Sequence, residues 1–212
     1  MGFLPKHWVF LRSGVDPYYP YGMIGAELRP ALMAKASGNG QSIIISKEQL
    51  REIQSLMDDR YKVLTSIMFY CGTRVSECIQ LRWVDVVDRT LVIRKGNTKG
   101  KEGTREIPIS DELFSAIMRL PQINSYLFSG RDGVGHLSRY SVDKKVRSIC
   151  EELGIQGFST HGFRRSFITN LARNNIHTKL IMTCSGHKQM SSVEKYIETT
   201  EEEKKVAVAS LW

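Results

Sequence analysis

Residues 161–196 read HGFRRSFITNLARNNIHTKLIMTCSGHKQMSSVEKY. His161 and Arg164 stand three apart where a helical pattern begins. Gly186–His187 follows a second short helical run, and Tyr196 comes nine residues after His187. Upstream, CGTRVSE carries Arg74, and the stretch KGNTKGKEGT at 95–104 is rich in glycine and lysine. Two arginines, a lysine, two histidines and a tyrosine in this order are hard to explain as packing. They suit phosphoryl transfer to a tyrosine.

That chemistry asks for these residue types. A phosphodiester spreads one negative charge over two non-bridging oxygens and gathers more in the transition state. Guanidinium forks match that geometry and stay charged at any working pH. Preorganised cations aimed at developing charge are usually the largest catalytic contribution. A free phenol ionises at a pKa of about 10, so a tyrosine nucleophile needs a neighbouring cation or base. The leaving 5′ oxygen needs a proton, which Lys or His can supply.

The ordered set Arg, Lys, HxxR, GH and Tyr resembles the catalytic domain of the tyrosine recombinases, the phage integrase family. TRVSE resembles the first arginine box, HGFRRSF the second and SGHKQMSSVEKYI the histidine–tyrosine box. The spacings of 23 residues from Arg164 to His187 and nine from His187 to Tyr196 are also similar. The resemblance runs from about Ile43 to the C-terminus. It implies that Arg74, Arg164 and His187 hold the phosphate, that Tyr196 is the nucleophile, and that His161 assists proton transfer or phosphate binding. It also implies a general-acid lysine on the hairpin. Lys99 fits by its TKGK context, with Lys95 and Lys101 as alternatives. Two departures stand out: Arg165 follows Arg164 where His is common, and Cys184–Ser185 precedes Gly186 in place of a Leu-containing pair.

At 212 residues the chain holds one sizeable domain, alone or with an appendage. Hydrophobic residues at 42% and charged residues at 25% are ordinary for a globular protein and argue against a disordered or membrane class. The net charge of +8 favours a polyanionic partner. Cys71, Cys78, Cys150 and Cys184 form no CxxC pair and read as reduced thiols, which points to the cytoplasm. No apolar run approaches the roughly 20 residues of a membrane span, and the first residues lack a signal-peptide core. A zinc site from His161 and His187 lacks further ligands at recognisable spacing, so no metal or other cofactor is expected.

Residues 1–41 differ in character, with four of the six prolines, a cluster of Tyr18, Tyr19 and Tyr21, and a closing ASGNGQS. They read as a short arm and linker, too short for the helical DNA-clamping domain that the family usually carries. The catalytic domain is placed at 42–212. Ser46 and Gln49 fit a capping box, with Leu50, Ile53, Leu56 and Met57 on one helical face. A helix over about 61–70 stops at Gly72, and Thr73 is the expected cap of the next, which puts Arg74 at a helix N-terminus. Strands are expected at Trp83–Val87, Leu91–Arg94 and Arg105–Ile109. A helix from Ser138 to Glu152 carries Arg139, Lys144, Lys145 and Arg147. Lys144 and Arg147 share a face suited to tracking a DNA backbone. The tail at 201–212, acidic first and apolar last, reads as a docking helix. In the family such a helix docks on a neighbouring protomer within a tetramer, and docking on its own domain is the alternative.

The expectation is therefore an α+β domain, mostly helical with a small antiparallel β-sheet. Its expected partner is double-stranded DNA, with Lys95, Lys101, Arg139, Lys144 and Arg147 as backbone contacts, and its expected assembly is a homo-oligomer. The resemblance implies cutting and rejoining through a 3′-phosphotyrosyl link, as in DNA integration, without ATP or a metal. The rivals are a type IB topoisomerase-like activity and a DNA-binding regulator that does not cut.

Overall fold

The computed structural model describes residues 42–97, 103–196, 205, 208 and 209. The arm at 1–41, the hairpin lysines Lys99 and Lys101, and most of the tail lie outside the described residues.

Helix α1 (Lys47–Ser55) begins where Ser46 and Gln49 cap each other reciprocally. Leu50, Ile53 and Met57 are buried, but Leu56 falls at the C-cap and is exposed, contrary to its place in the apolar pattern. Asp58 caps α2 (Asp59–Cys71) through the Tyr61 amide, two residues ahead of the expected start. The helix ends at Gly72 with φ +62°, a left-handed C-cap. The short α3 (Val75–Ile79) follows, with Arg74 as its N-cap. Thr73 is not the cap; its hydroxyl is buried without a hydrogen-bond partner.

The sheet is a three-stranded antiparallel meander, β1 (Val86–Val87), β2 (Thr90–Ile93) and β3 (Arg105–Pro108), paired in chain order. Trp83–Asp85, expected in the first strand, forms a 3₁₀ turn instead, because the Asp85 carboxylate folds back to accept from the Arg82 amide. Asp88 and Arg89 make the two-residue turn between β1 and β2, both at positive φ, as a tight right-twisted hairpin requires. Arg89 tolerates this because it is held in place. Its guanidinium pairs with Asp111 and lies 5.7 Å from the Phe114 ring centroid, and its carbonyl accepts from the Ile109 amide at 2.9 Å.

Helices α4 (Asp111–Met118) and α5 (Arg139–Glu152) start at Ser110 and Ser138, whose hydroxyls accept from the third helical amide. Between them, Leu127 and Phe128 turn inward from an otherwise irregular loop. Then come α6 (Thr160–Arg173), α7 (Thr178–Ser185) and α8 (Ser191–Glu194). Asn175 breaks α6 from α7 at φ +56°, and Gly186 ends α7 at φ +72°.

Two apolar clusters result. The larger runs from Ile45 to Phe163 and joins α1–α5, the sheet and the start of α6. The smaller comprises Phe167, Ile168, Ile181 and Val193, with Tyr196 packed at its side. Helix α6 belongs to both, and α2 packs along it. Gly72 sits at their junction, where a Cβ would come within 2.2 Å of the Phe167 ring. Gly72→Ala adds a left-handed alanine to that overlap, so it is expected to cost roughly 2–4 kcal/mol, read as a lowered midpoint in chemical denaturation.

Candidate active site

Arg164 occupies the seam between the clusters. It is the largest fully buried side chain among the described residues, 1% exposed, and donates to the Gly72 carbonyl at 2.7 Å. A glycine that ends α2 thus also anchors the guanidinium. Burial first, then the nearby Arg74 charge, pushes the Arg164 pKa down to about 9, which leaves it cationic at neutral pH.

Arg74 projects from the start of α3 and shares a cavity of about 390 Å³ with His161 and Arg164. Asn97, at the base of the hairpin, and Arg139, at the start of α5, line the same cavity. Glu77 organises the far side. Its carboxylate is fully buried and accepts from the Arg74 amide and guanidinium, each at 2.8 Å. Arg105 grips it with a second fork at 2.6 and 3.4 Å. Burial alone would raise the Glu77 pKa. The Arg105 hydrogen bond and charge, then the Arg74 amide, reverse that and hold it below the ordinary glutamate value.

Arg105 was not singled out from the sequence, yet it ties the site together. Its Nε donates to the Cys184 carbonyl at 3.2 Å, and its guanidinium packs on Gly186. A Cβ on Gly186 would approach Arg105 Nη1 to 3.0 Å, a second reason for glycine there besides the positive φ. Its only sequence signal was an arginine opening the returning strand; the partner lies 28 residues away.

Gly186 sets the direction of His187, which lies 3.3 Å from Arg164 Nη2 by its Nε2. Ser185 donates its hydroxyl proton to the Ile181 carbonyl at 2.6 Å, so towards His187 it acts as acceptor, at 2.8 Å from Nδ1. That places the imidazole proton on Nδ1. Burial and then Arg164 and Arg74 push the His187 pKa down to about 4, so the ring is neutral at pH 7. His161 lies at the exposed rim; desolvation, then Arg164 and Arg165, lower its pKa as well. The Tyr196 ring is half-buried just after α8, its centroid 6.4 Å from that of His187. The structure thus gathers five of the six expected catalytic residues: Arg74, His161, Arg164, His187 and Tyr196. The sixth, Lys99, lies outside the described residues.

The expected DNA contacts separate. Arg139 faces the cavity and pairs with Asp143, whose other oxygen accepts from Thr160, tying α5 to α6. Lys144 and Lys145 line a second, open groove of about 960 Å³ with Arg60, Arg131 and Tyr140. Arg147, one turn on from Lys144 along α5, is exposed but does not line that groove. Lys95 is exposed in a 3₁₀ turn, Lys95–Asn97, at the hairpin base. Among the described residues no three His, Cys, Asp or Glu side chains cluster as metal ligands, and no helix is long and apolar enough to cross a membrane.

A mostly helical domain with a small antiparallel sheet and two arginines, two histidines and a tyrosine at one seam defines a tyrosine recombinase catalytic domain. The sequence matches the Phage integrase family over residues 44–203, and the chain belongs to that family. A tyrosine recombinase of Thermosipho africanus is 25% identical over 154 residues, 72% of this chain and 54% of the relative. Tyrosine recombinase XerA of Pyrococcus horikoshii is 27% identical over 164 residues, 74% of this chain and 56% of the relative. The chain therefore spans about half the length of the curated relatives it matches. Among solved structures, the Tn1549 transposon integrase in complex with a circular intermediate DNA shares the fold. Its TM-score is 0.70 at 17% identity, covering 86% of this chain and 69% of that one.

The buried Glu77 charge yields a test of the site's architecture. Because its folded pKa is depressed, its contribution is fully present above the unfolded value. It fades as pH falls below 4.5 and through the lower folded value. Glu77→Gln, which leaves two arginines without their anion, is expected to lose roughly 3–5 kcal/mol at pH 7. Denaturant titrations of both proteins should converge on acidification below that range.

Proposed function

We propose that this chain cuts and rejoins DNA through a covalent 3′-phosphotyrosyl intermediate, as a site-specific recombinase. The observation that carries this reading is the shared cavity of Arg74, His161 and Arg164, with His187 set against Arg164 and Tyr196 beside His187. Tyr196 loses its phenolic proton to solvent, with His161 assisting, and attacks the scissile phosphorus as the bond from phosphorus to the 5′ oxygen breaks. Lys99 gives the departing oxygen its proton. Arg74 and Arg164 neutralise the non-bridging oxygens. A 5′ hydroxyl from a second strand then gives its proton to the now neutral Lys99, attacks the phosphotyrosyl link and releases Tyr196, which takes a proton back from solvent. The phosphodiester energy is kept in that link, so the exchange consumes no ATP.

His187 has a particular part. Neutral in the free domain, it has an unprotonated Nε2 beside Arg164. A bound phosphate would offset the guanidinium charges that depress its pKa, so the ring can take up a proton and donate from Nε2 to the phosphate. His161, at the rim, assists proton transfer or phosphate binding. The duplex runs from the cavity into the groove of Lys144, Lys145, Arg60 and Arg131, which offers a basic track for the backbone. Residues 1–41 serve as the connecting arm, and the C-terminal tail docks protomers into an oligomer on the DNA.

Covalent capture tests the reading. The protein is incubated with nicked duplexes of random sequence and chelator, denatured in SDS, and the attached DNA is sequenced. Wild type should retain DNA, Tyr196→Phe none, and Lys99→Ala about 100-fold less or below. A folded wild-type chain that binds but never attaches would instead support a DNA binder that does not cut. The groove has its own test. Lys144→Gln should weaken binding similarly on all sequences and reduce the slope of log affinity against log salt by about 0.9.

A further inference from the structure

Arg165, which stands where the family often has His, makes two contacts that the phosphate chemistry does not use. Its Cζ lies 5.4 Å from the centroid of the Tyr196 ring, within cation–π range. Its Nη1 donates to the Ser42 carbonyl at 2.5 Å, 123 residues away in the chain. Its Nε is buried without a hydrogen-bond partner, a cost that a purely structural arginine would be expected to avoid.

The Ser42 end of this contact is itself fixed. The Ser42 hydroxyl accepts from the Ser159 amide at 2.9 Å, and the Ile43 amide donates to the Gly157 carbonyl at 3.0 Å. The Ile45 amide donates to the Ser166 hydroxyl at 2.9 Å. Gly162 lets this strap lie flat on α6, since a Cβ there would come within 2.6 Å of Ser42 Oγ. Segment 42–45 is thus bound over the first turns of the helix that carries Arg164 and Arg165. The guanidinium of Arg165 spans from that strap to the face of the tyrosine ring. Tyr196 lies just beyond the four-residue α8 and packs beside the smaller apolar cluster, with one face of its ring towards Arg165.

We infer that Arg165 is a positioning residue that seats the Tyr196 ring for attack and makes that seat depend on the chain segment entering at Ser42. This rests on Tyr196 being the nucleophile. It gives the departure from the family pattern a purpose: arginine is long enough to touch the strap and the ring at once, and its planar cation stacks on an aromatic face. Movement of the strap, by whatever lies before residue 42, would be felt directly at the nucleophile.

The test uses the full chain and the nicked duplex recovered by covalent capture. Rates of adduct formation are measured at saturating DNA, with DNA affinity and its salt dependence measured separately. Arg165→Met is expected to slow attachment about 10- to 100-fold with affinity within two-fold of wild type. Arg165→Lys, which keeps the cation but not the fork, should recover part of the rate. Ser42→Gly, which loosens the strap, should slow attachment less, and its effect should vanish when combined with Arg165→Met. Attachment by Arg165→Met at the wild-type rate overturns the inference while leaving Tyr196 as nucleophile. Weaker binding with a salt slope reduced by about 0.9 overturns it in favour of a phosphate contact. Restoration of Arg165→Met on a duplex with sulfur in place of the leaving 5′ oxygen overturns it in favour of proton transfer, because a thiolate leaves without a proton. Thermal melts show which variants fold; if Arg165→Met does not, the rates of Arg165→Lys and Ser42→Gly decide the question. No attachment by wild type would sink the nucleophile reading and this one with it.

Discussion

One buried carboxylate holds the site in shape. Arg74, Arg105 and Arg164 lie close enough for their charges to act on one another, and Glu77 is the anion set among them. Taking a carboxylate out of water costs several kcal/mol unless charged partners replace its hydration. Glu77 gains the two-bond fork of Arg105, one bond from the Arg74 guanidinium and the Arg74 backbone amide in exchange. The arginines, in turn, are fixed in direction rather than left to sample rotamers. Because Arg105 also reaches the end of α7, this one ion cluster joins three distant parts of the chain: the start of α3, strand β3 and the turn that aims His187. Strand β3 pairs antiparallel with β2, so the same cluster fixes the described end of the connection between these two strands.

The two apolar clusters explain why the cavity lies where it does. Helix α6 contributes Phe163 to one and Phe167 to the other, and Arg164 falls between them. Its burial there is compensated by the Gly72 carbonyl, a group left over by the end of α2. The neighbours differ in exposure along the same helix: His161 meets solvent, Arg164 is enclosed, Arg165 is half covered. A single turn of α6 therefore presents a titratable group at the rim, a permanent cation within and a second cation towards Tyr196.

Much of this was readable in the sequence, for identifiable reasons. Capping at Ser46, the helix stops at Gly72 and Gly186, and the spacing of the boxes are local or ordered features, and they carry the helical, small-sheet architecture. Where local propensity met a side chain with another use, the reading failed. Val-rich Trp83–Val87 looks like a strand, but Asp85 turns back on Arg82. Thr73 looks like a cap, but Arg74 takes that place because Glu77 accepts its amide. Arg105 and Arg165 were out of reach for a different reason: their partners, Glu77 and Ser42, lie 28 and 123 residues away, and no local pattern reports such pairs.

The charges of the free site leave it electrostatically incomplete. Three guanidiniums face one carboxylate, and His187 stays neutral because a further positive charge there would be repelled by Arg164 and Arg74. The cluster is thus stable only because protein dipoles, packing and Glu77 hold its cations near one another. Under the proposed reading, a phosphodiester brings one negative charge into this field and gains more as Tyr196 approaches. The stabilisation then grows along the reaction, because the cations are already placed and no reorganisation is needed as the charge develops. The same field accounts for a neutral His187 at rest. A site whose histidine charges only in answer to an anion adds its last hydrogen bond when the phosphate is in place.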